Sequence, residues 1–238
     1  MREIRKNATC PTCLSDFIAS QQKIGPPVVN LTYSSFQNPG RQELREILTH
    51  EQFGLCGYTG APVDDRISNL RSPNQEVSFS NHIEHLKCQK TCKKELANKG
   101  LVYGEDLGED LDYNNLIAAL EVRGAHSEQF GAVYKGNSTL SVWPTHERCS
   151  ERFRFREGDG GVDGLNAEGC HSIDILNLKH ETLMGWRKGA IDAFFNPEVS
   201  LTRQDLEIIL QKMEGPVDGR LPEFAFVISN IARQYLTP

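Results

Sequence analysis

Apolar and polar positions recur along this chain with two periods, and the period switches from segment to segment. In RQELREILTHEQF (41–53), Leu44, Ile47 and Leu48 fall at helical spacing, which predicts a helix with one face on a core. Gly54 ends it, and Leu55-Cys56-Gly57-Tyr58-Thr59-Gly60 reads as a tight turn followed by a polar loop over 61–76. Val77-Ser78-Phe79-Ser80 is strand-like, and 77–85 reads as a strand running into a turn at its end. Residues 87–99 are basic and partly helical, GEDLGEDLD (104–112) is an acidic, glycine-punctuated loop, and NNLIAALE (114–121) reads as a helix. FRFREGDGGVDGL (153–165) carries a hairpin signature with the Gly-Asp cluster as its turn.

The last third is helical by pattern. Residues 179–195 form a helix stopped by Asn196-Pro197. Thr202 opens another, with Asp205 in a capping-box-like position, and Pro222 lies in the first turn of a final helix reaching about Leu236. The first forty residues, with Pro11, Pro26, Pro27 and Pro39, read mostly as irregular, with a short helix after Cys13. The pattern therefore predicts a mainly helical α+β chain in three regions. Residues 1–40 form an irregular segment suited to partner contact, 41–150 a mixed core, and 151–238 a hairpin plus a helical C-terminal part.

Composition narrows this. The 238 residues suffice for one large or two small domains, and 38% hydrophobic with 24% charged residues supports a packed core. No apolar run approaches the roughly 20 residues of a membrane helix. Met1-Arg2-Glu3-Ile4-Arg5-Lys6 has positive charge but no apolar stretch behind it, so it is not a secretory signal and the expected location is the cytoplasm. Seven cysteines, an odd number, argue for reduced thiols or metal ligands over a disulfide framework. The formal net charge of −6 disfavours broad nucleic-acid binding. Such a site has to be a local basic groove, or a partner has to supply the positive surface.

Asn81-His82-Ile83-Glu84-His85-Leu86-Lys87 concentrates the chemistry. Any one histidine is most simply a satisfied surface or core residue, but two imidazoles and a carboxylate within four positions are not an ordinary cluster. Phosphodiester hydrolysis needs a deprotonated water and a stabilised transition state. A neutral His85 can take the proton from water. Glu84 is a hard oxygen ligand suited to Mg²⁺ or Mn²⁺. Neighbours on a strand face opposite sides, so Glu84 and His85 can serve metal and water separately if the strand bends there. His82 lies on the Glu84 side, within reach of a metal or a phosphate. Further on, Asn115 in Asp112-Tyr113-Asn114-Asn115-Leu116 enters its helix after a loop; it is either an N-cap or the group that fixes an imidazole tautomer.

These residues resemble the HNH endonuclease pattern: Gln52, Cys56 and Tyr58, then His82 to His85, then Asp112-Tyr113-Asn115-Leu116, then Lys135-Gly136. More closely, the chain resembles the HNH effectors of Septu-type antiphage systems (PtuB-like), including retron-linked versions. Cys149-Ser150-Glu151-Arg152-Phe153, the Asp159-Gly160 turn and Ile175-Leu176-Asn177-Leu178 with Arg187 extend the likeness over about residues 40–190. The resemblance implies a ββα-metal nuclease core holding one divalent ion. It implies His85 as general base, Glu84 as the acidic metal position and Asn115 as the middle Asn of the motif. It also implies a PtuA-like AAA/SMC-type ATPase as partner and, in retron-linked systems, a reverse transcriptase with its DNA product (msDNA).

Two features depart from that pattern. Thr59 and Leu120 stand where a structural zinc knuckle has cysteines, and Ala132 stands where a third catalytic His or Asn falls. His126 from the same loop is the substitute, Tyr134 a poorer one. The metal set expected is therefore Glu84, His82 and His126.

The remaining cysteines and cations have two readings each. Cys10-Pro-Thr-Cys13 has the gap of a zinc half-site that Cys88 and Cys92 can complete; the alternative is four ordinary thiols. Lys87, Lys90, Lys93, Lys94 and Lys99 follow His85 and offer a phosphate-binding stripe or a solvated helix face. Lys179, Arg187 and Lys188 read as surface. The expected function is a metal-dependent nuclease in an antiphage complex. The alternatives are an RNA-directed nuclease using the same site, with transfer RNA as target, and a degenerate HNH fold acting as a binding module.

Overall fold

The computed structural model describes residues 1–24, 30–196 and 198–237. Pro26, Pro27 and Pro197, which contributed to the reading of two segments, lie outside the described residues. The architecture is α+β, with two small two-stranded antiparallel sheets among helices.

Helix α1 (Thr12–Gln22) and helix α2 (Gly40–Glu51) pack together near the N-terminus. α2 buries Leu44 and Leu48, as its spacing predicts, and ends at Glu51, three residues before the expected stop at Gly54; Gly54 closes the turn that follows, with a φ of 76° that suits glycine. A Cβ there would collide with the Asp64 carboxylate. The turn at 55–60 is closed by Gly60 N–H to the Cys56 carbonyl at 2.9 Å.

Strand β1 (Ser78–His85) pairs antiparallel with β2 (Leu116–Arg123), with Ser78 opposite Arg123 and His85 opposite Leu116. The 86–115 connection carries helix α3 (Gln89–Asn98) and two 3₁₀ turns, Glu109–Leu111 and Tyr113–Asn115. A short helix α4 (Ala132–Lys135) follows β2 and packs on it. β1, β2 and α4 thus form a ββα unit with a long insertion between its strands.

The structure differs from the sequence pattern at two places. Residues 116–123 are a strand and not part of a helix: a short apolar run, with 116–120 all buried, carries no decisive period, and pairing with β1 decides it. Strand β1 also continues through His85 without a turn at Glu84.

The outer edge of β2 is covered by side chains. Gln52, fully buried, donates to the Ala118 carbonyl at 2.8 Å and accepts from Ala118 N–H at 2.7 Å, as a neighbouring strand would. Lys6 Nζ donates to the Leu116 carbonyl at 2.9 Å.

The second sheet is the expected hairpin, β3 (Phe153–Phe155) with β4 (Val162–Gly164). Helix α5 (Ala167–Ile175), which the pattern did not single out, packs on β4. Helices α6 (Glu181–Asp192), α7 (Arg203–Glu214) and α8 (Ala225–Leu236) complete the chain, with α7 against α8. The capping box at α7 forms in both directions, Thr202 to Asp205 and back. Pro222 precedes α8 in a turn and is not in its first helical turn. One contiguous apolar core draws on all three regions, from Met1 and Leu14 through Leu48 and Leu116 to Ile228. No helix among the described residues is long and apolar enough to cross a membrane.

Candidate active site

His85 ends β1 and is only 6% exposed. Its Nε2 lies 3.0 Å from the backbone carbonyl of Asp110, in the turn that closes the 86–115 connection. A carbonyl only accepts, so Nε2 carries the proton and Nδ1 of the neutral ring carries a lone pair. Among the described residues Nδ1 makes no hydrogen bond, and it is not one of the enclosed atoms left without a partner. Tyr33 fixes the ring edge-on, with centroids 4.4 Å apart. Burial lowers the pKa of His85, partly offset by the Asp110 carbonyl and the Glu84 charge. The imidazole is therefore held neutral, in one tautomer, with one basic nitrogen free. That is the state a general base requires.

The Asp110 turn is itself anchored. The Asp110 side chain is fully buried, and its Oδ2 accepts from Tyr33 N–H at 2.9 Å and Tyr103 OH at 3.0 Å. Tyr33 and Asp110 were invisible to pattern reading. Tyr33 lies in an irregular segment far from His85 in sequence, and Asp110 is one acid among several in a loop.

Asn115 differs from its expected role. It makes no hydrogen bond to His85. Its Oδ1 accepts from Lys87 N–H at 2.7 Å, and its Nδ2 donates to the carbonyls of Lys87 at 3.0 Å and Glu109 at 2.9 Å. It closes the insertion as a clamp between the exit of β1 and the Glu109–Asp110 turn. Its influence on His85 passes through the Asp110 carbonyl. It also leads into β2 and not into a helix, through the 3₁₀ turn Tyr113–Asn115.

Glu84 and His82 occupy the other side of β1 from His85, as strand alternation requires. Glu84 Oε1 accepts from Lys135 Nζ at 2.6 Å, and Glu84 Oε2 lies 3.6 Å from His82 Nε2. Lys135, the last residue of α4, has a side chain 1% exposed, and its Nζ also donates to the His85 carbonyl at 3.0 Å. His82 Nδ1 is enclosed without a partner. His126 is not part of this group: it is exposed, stacks on Tyr134 at 5.0 Å and faces Gln129.

The fit of this set to a divalent ion is poor. One oxygen of the only carboxylate is already neutralised by an ammonium, and a like charge would stand beside the ion. A single imidazole adds to it, whereas Mg²⁺ and Mn²⁺ favour several oxygens. Among the described residues no three His, Cys, Asp or Glu side chains come together as a metal site. The same holds for the expected zinc. Cys88 contacts Thr91 Oγ1 at 3.1 Å and the Asn137 carbonyl at 3.5 Å, Cys92 faces the Lys87 carbonyl at 3.5 Å, and Cys10 faces the Pro11 carbonyl at 3.7 Å. All seven cysteines are free. Burial pushes the Cys92 thiol up to about 12 and raises those of Cys10 and Cys13, which favours thiols over thiolate ligands.

The basic stripe divides. Lys87 is held between Glu95 at 2.8 Å and Glu109 at 2.6 Å, which raises its pKa and occupies its charge. Lys90, Lys93 and Lys94 are exposed, with Lys93 Nζ 5.3 Å over the Tyr103 ring. Arg187, expected at the surface, is fully buried; it donates to the Leu178 carbonyl at 2.8 Å and lies over Phe155, and burial brings its pKa down to about 9. Arg41 of α2 lies over the Tyr33 ring at 4.7 Å and places a further cation near the site.

Comparison with models of known protein families finds none that matches the chain, and a search of curated proteins returns no significant match.

Proposed function

We propose that this protein hydrolyses phosphodiester bonds of nucleic acid, with His85 as the general base that takes a proton from water through Nδ1. The observation that carries the reading is the locked tautomer of His85: Nε2 on the Asp110 carbonyl at 3.0 Å, Nδ1 free, at the end of a ββα unit. Tyr33 and the Asn115 clamp hold that geometry. The exposed Lys90, Lys93 and Lys94 on α3 receive the phosphate backbone, with Lys87 ordering the connection through Glu95 and Glu109. No step is routed through a metal.

The setting in which we propose it acts is a Septu- or retron-type antiphage complex. The PtuA-like ATPase would be its partner, and the retron reverse transcriptase with msDNA a further one where present. The formal charge of −6 supports a subunit that relies on a partner to hold substrate. The test is to purify the chain alone and with the co-purifying ATPase and incubate each with plasmid DNA and with total RNA. Cleavage of either substrate is expected, and the substrate cut identifies the target class. Intact DNA and RNA after incubation with the assembled complex would overturn the proposal.

The pairing of Glu84 with Lys135 also suits the second reading, an HNH-like fold retained as a binding module. A complex that keeps its antiphage protection with His85→Ala would favour it.

A further inference from the structure

The sequence resemblance implies an ion in the ββα unit, which would have two jobs: to act on substrate and to join the first strand to the helix. Here the second job has an occupant within the chain. Lys135 reaches from the end of α4 and places its ammonium between the Glu84 carboxylate, at 2.6 Å, and the His85 carbonyl, at 3.0 Å. The side chain is 1% exposed, so the charge serves the interior and not the solvent. A lysine ammonium is enclosed only when its charge and hydrogen bonds are matched, and these two acceptors on adjacent residues of β1 match it. Gly136, directly after it, takes φ of 51° and lets the chain turn away from α4.

We propose that Lys135 is a built-in cation clasp: it takes the structural place of the metal, ties α4 to the end of β1, and fixes the backbone from which the His85 ring projects. The ββα unit then assembles without a divalent ion. Lys135 is a positioning residue, since its ammonium is spent on the Glu84 carboxylate and the His85 carbonyl, and its catalytic consequence rests on the hydrolase reading above. The geometry also explains why Glu84 and His82 have no third ligand among the described residues: the position is filled by a charge that cannot coordinate.

The test uses the full chain as wild type, Lys135→Met, Lys135→Arg and Glu84→Gln, each dialysed against EDTA. Three readouts apply: thermal melting with and without Mn²⁺, Mn²⁺ binding by electron paramagnetic resonance, and the imidazole N–H proton of His85 by NMR. The clasp predicts that wild type binds no Mn²⁺ at this site and melts at the same temperature in EDTA and in Mn²⁺. It predicts that Lys135→Met melts lower and loses the slowly exchanging His85 Nε2–H signal, and that Lys135→Arg restores the signal in part. If Lys135→Met does not fold, Glu84→Gln, which keeps shape and removes the charge, is expected to show a smaller loss of the same two features.

Stoichiometric Mn²⁺ binding by wild type with a rise in melting temperature would overturn the clasp, as would an unchanged His85 signal in Lys135→Met. Failure of the hydrolase reading is separable. Cleavage that survives His85→Ala removes that reading while the melting and Mn²⁺ data still judge the clasp. Cleavage lost in His85→Ala, together with a wild-type melting temperature that rises with Mn²⁺, leaves the reading intact and removes the clasp.

Discussion

Replacing Asn115 by alanine is expected to destabilise the protein by about 2–4 kcal/mol and to loosen His85 without disturbing the register of β1 and β2. The magnitude follows from what the amide holds. Asn115 satisfies three backbone groups, Lys87 N–H at 2.7 Å and the Lys87 and Glu109 carbonyls at 3.0 and 2.9 Å, and the residue is 7% exposed. Lys87 N–H is left orphaned, at about 1–3 kcal/mol, while the Lys87 and Glu109 carbonyls keep Cys92 Sγ at 3.5 Å and Asp112 N–H at 3.2 Å and each lose a bond worth about 0.5–1.5 kcal/mol; water entering the vacated space recovers part of this. Strand pairing survives, because Leu86 N–H donates to the Asn115 backbone carbonyl, which alanine keeps. What is lost is the tether on Glu109, whose neighbour Asp110 accepts the His85 proton. Asn115→Asp sharpens the test: it keeps an acceptor for Lys87 N–H but sets an oxygen against two carbonyls. The assays are urea unfolding and amide exchange at Lys87 and Asp110. An Asn115→Ala variant that loses less than about 0.5 kcal/mol and keeps full protection at Lys87 would refute the clamp.

Three further outcomes follow from the site. Burial sets the His85 pKa below the ordinary 6.5, so the acid limb of the pH–rate profile should fall below that value, and a limb at or above 6.5 would count against His85 as base. The sign for stability is the same as for a depressed acid: the unfolded chain binds the proton first, so the contribution is present above 6.5 and is lost as pH falls from there towards the folded value; pH-dependent unfolding of wild type and His85→Phe checks it. Among the lysines, Lys90→Ala, Lys93→Ala and Lys94→Ala should each reduce the salt slope of nucleic-acid binding by about 1, measured by fluorescence titration, whereas Lys87→Ala should reduce stability more than the slope.

Much of the fold was legible in the sequence where one pattern dominated. α2 showed its Leu44, Ile47 and Leu48 stripe, the Gly-Asp cluster marked the β3–β4 turn, and Thr202 with Asp205 marked the start of α7. Where the local signal was degenerate, tertiary contacts decided. Leu116 to Leu120 is a fully buried run without a period, and only its pairing with β1 makes it a strand. Arg187 looked like any helix-surface cation, yet its partners are the Leu178 carbonyl and the Phe155 ring.

The candidate site was legible in part. His85, Glu84 and Asn115 stood out as a cluster and do sit around one ββα unit. Their roles depended on residues distant in sequence: Asp110 as the acceptor for His85, Tyr33 as its wall, and Lys135 as the partner of Glu84. No spacing rule relates a histidine to a backbone carbonyl in a loop. The bonding of Asn115 to Lys87 and Glu109, and not to an imidazole, likewise depends on where the insertion closes.

We propose that Nδ1 of His85 takes the proton from the attacking water. The most direct measurement is single-turnover cleavage of nucleic acid by the assembled complex, carrying wild-type chain or His85→Gly, with and without imidazole in the buffer. A loss of about 10²–10⁴-fold is expected in His85→Gly, with partial recovery when imidazole is added. Cleavage by His85→Gly at the wild-type rate would contradict it.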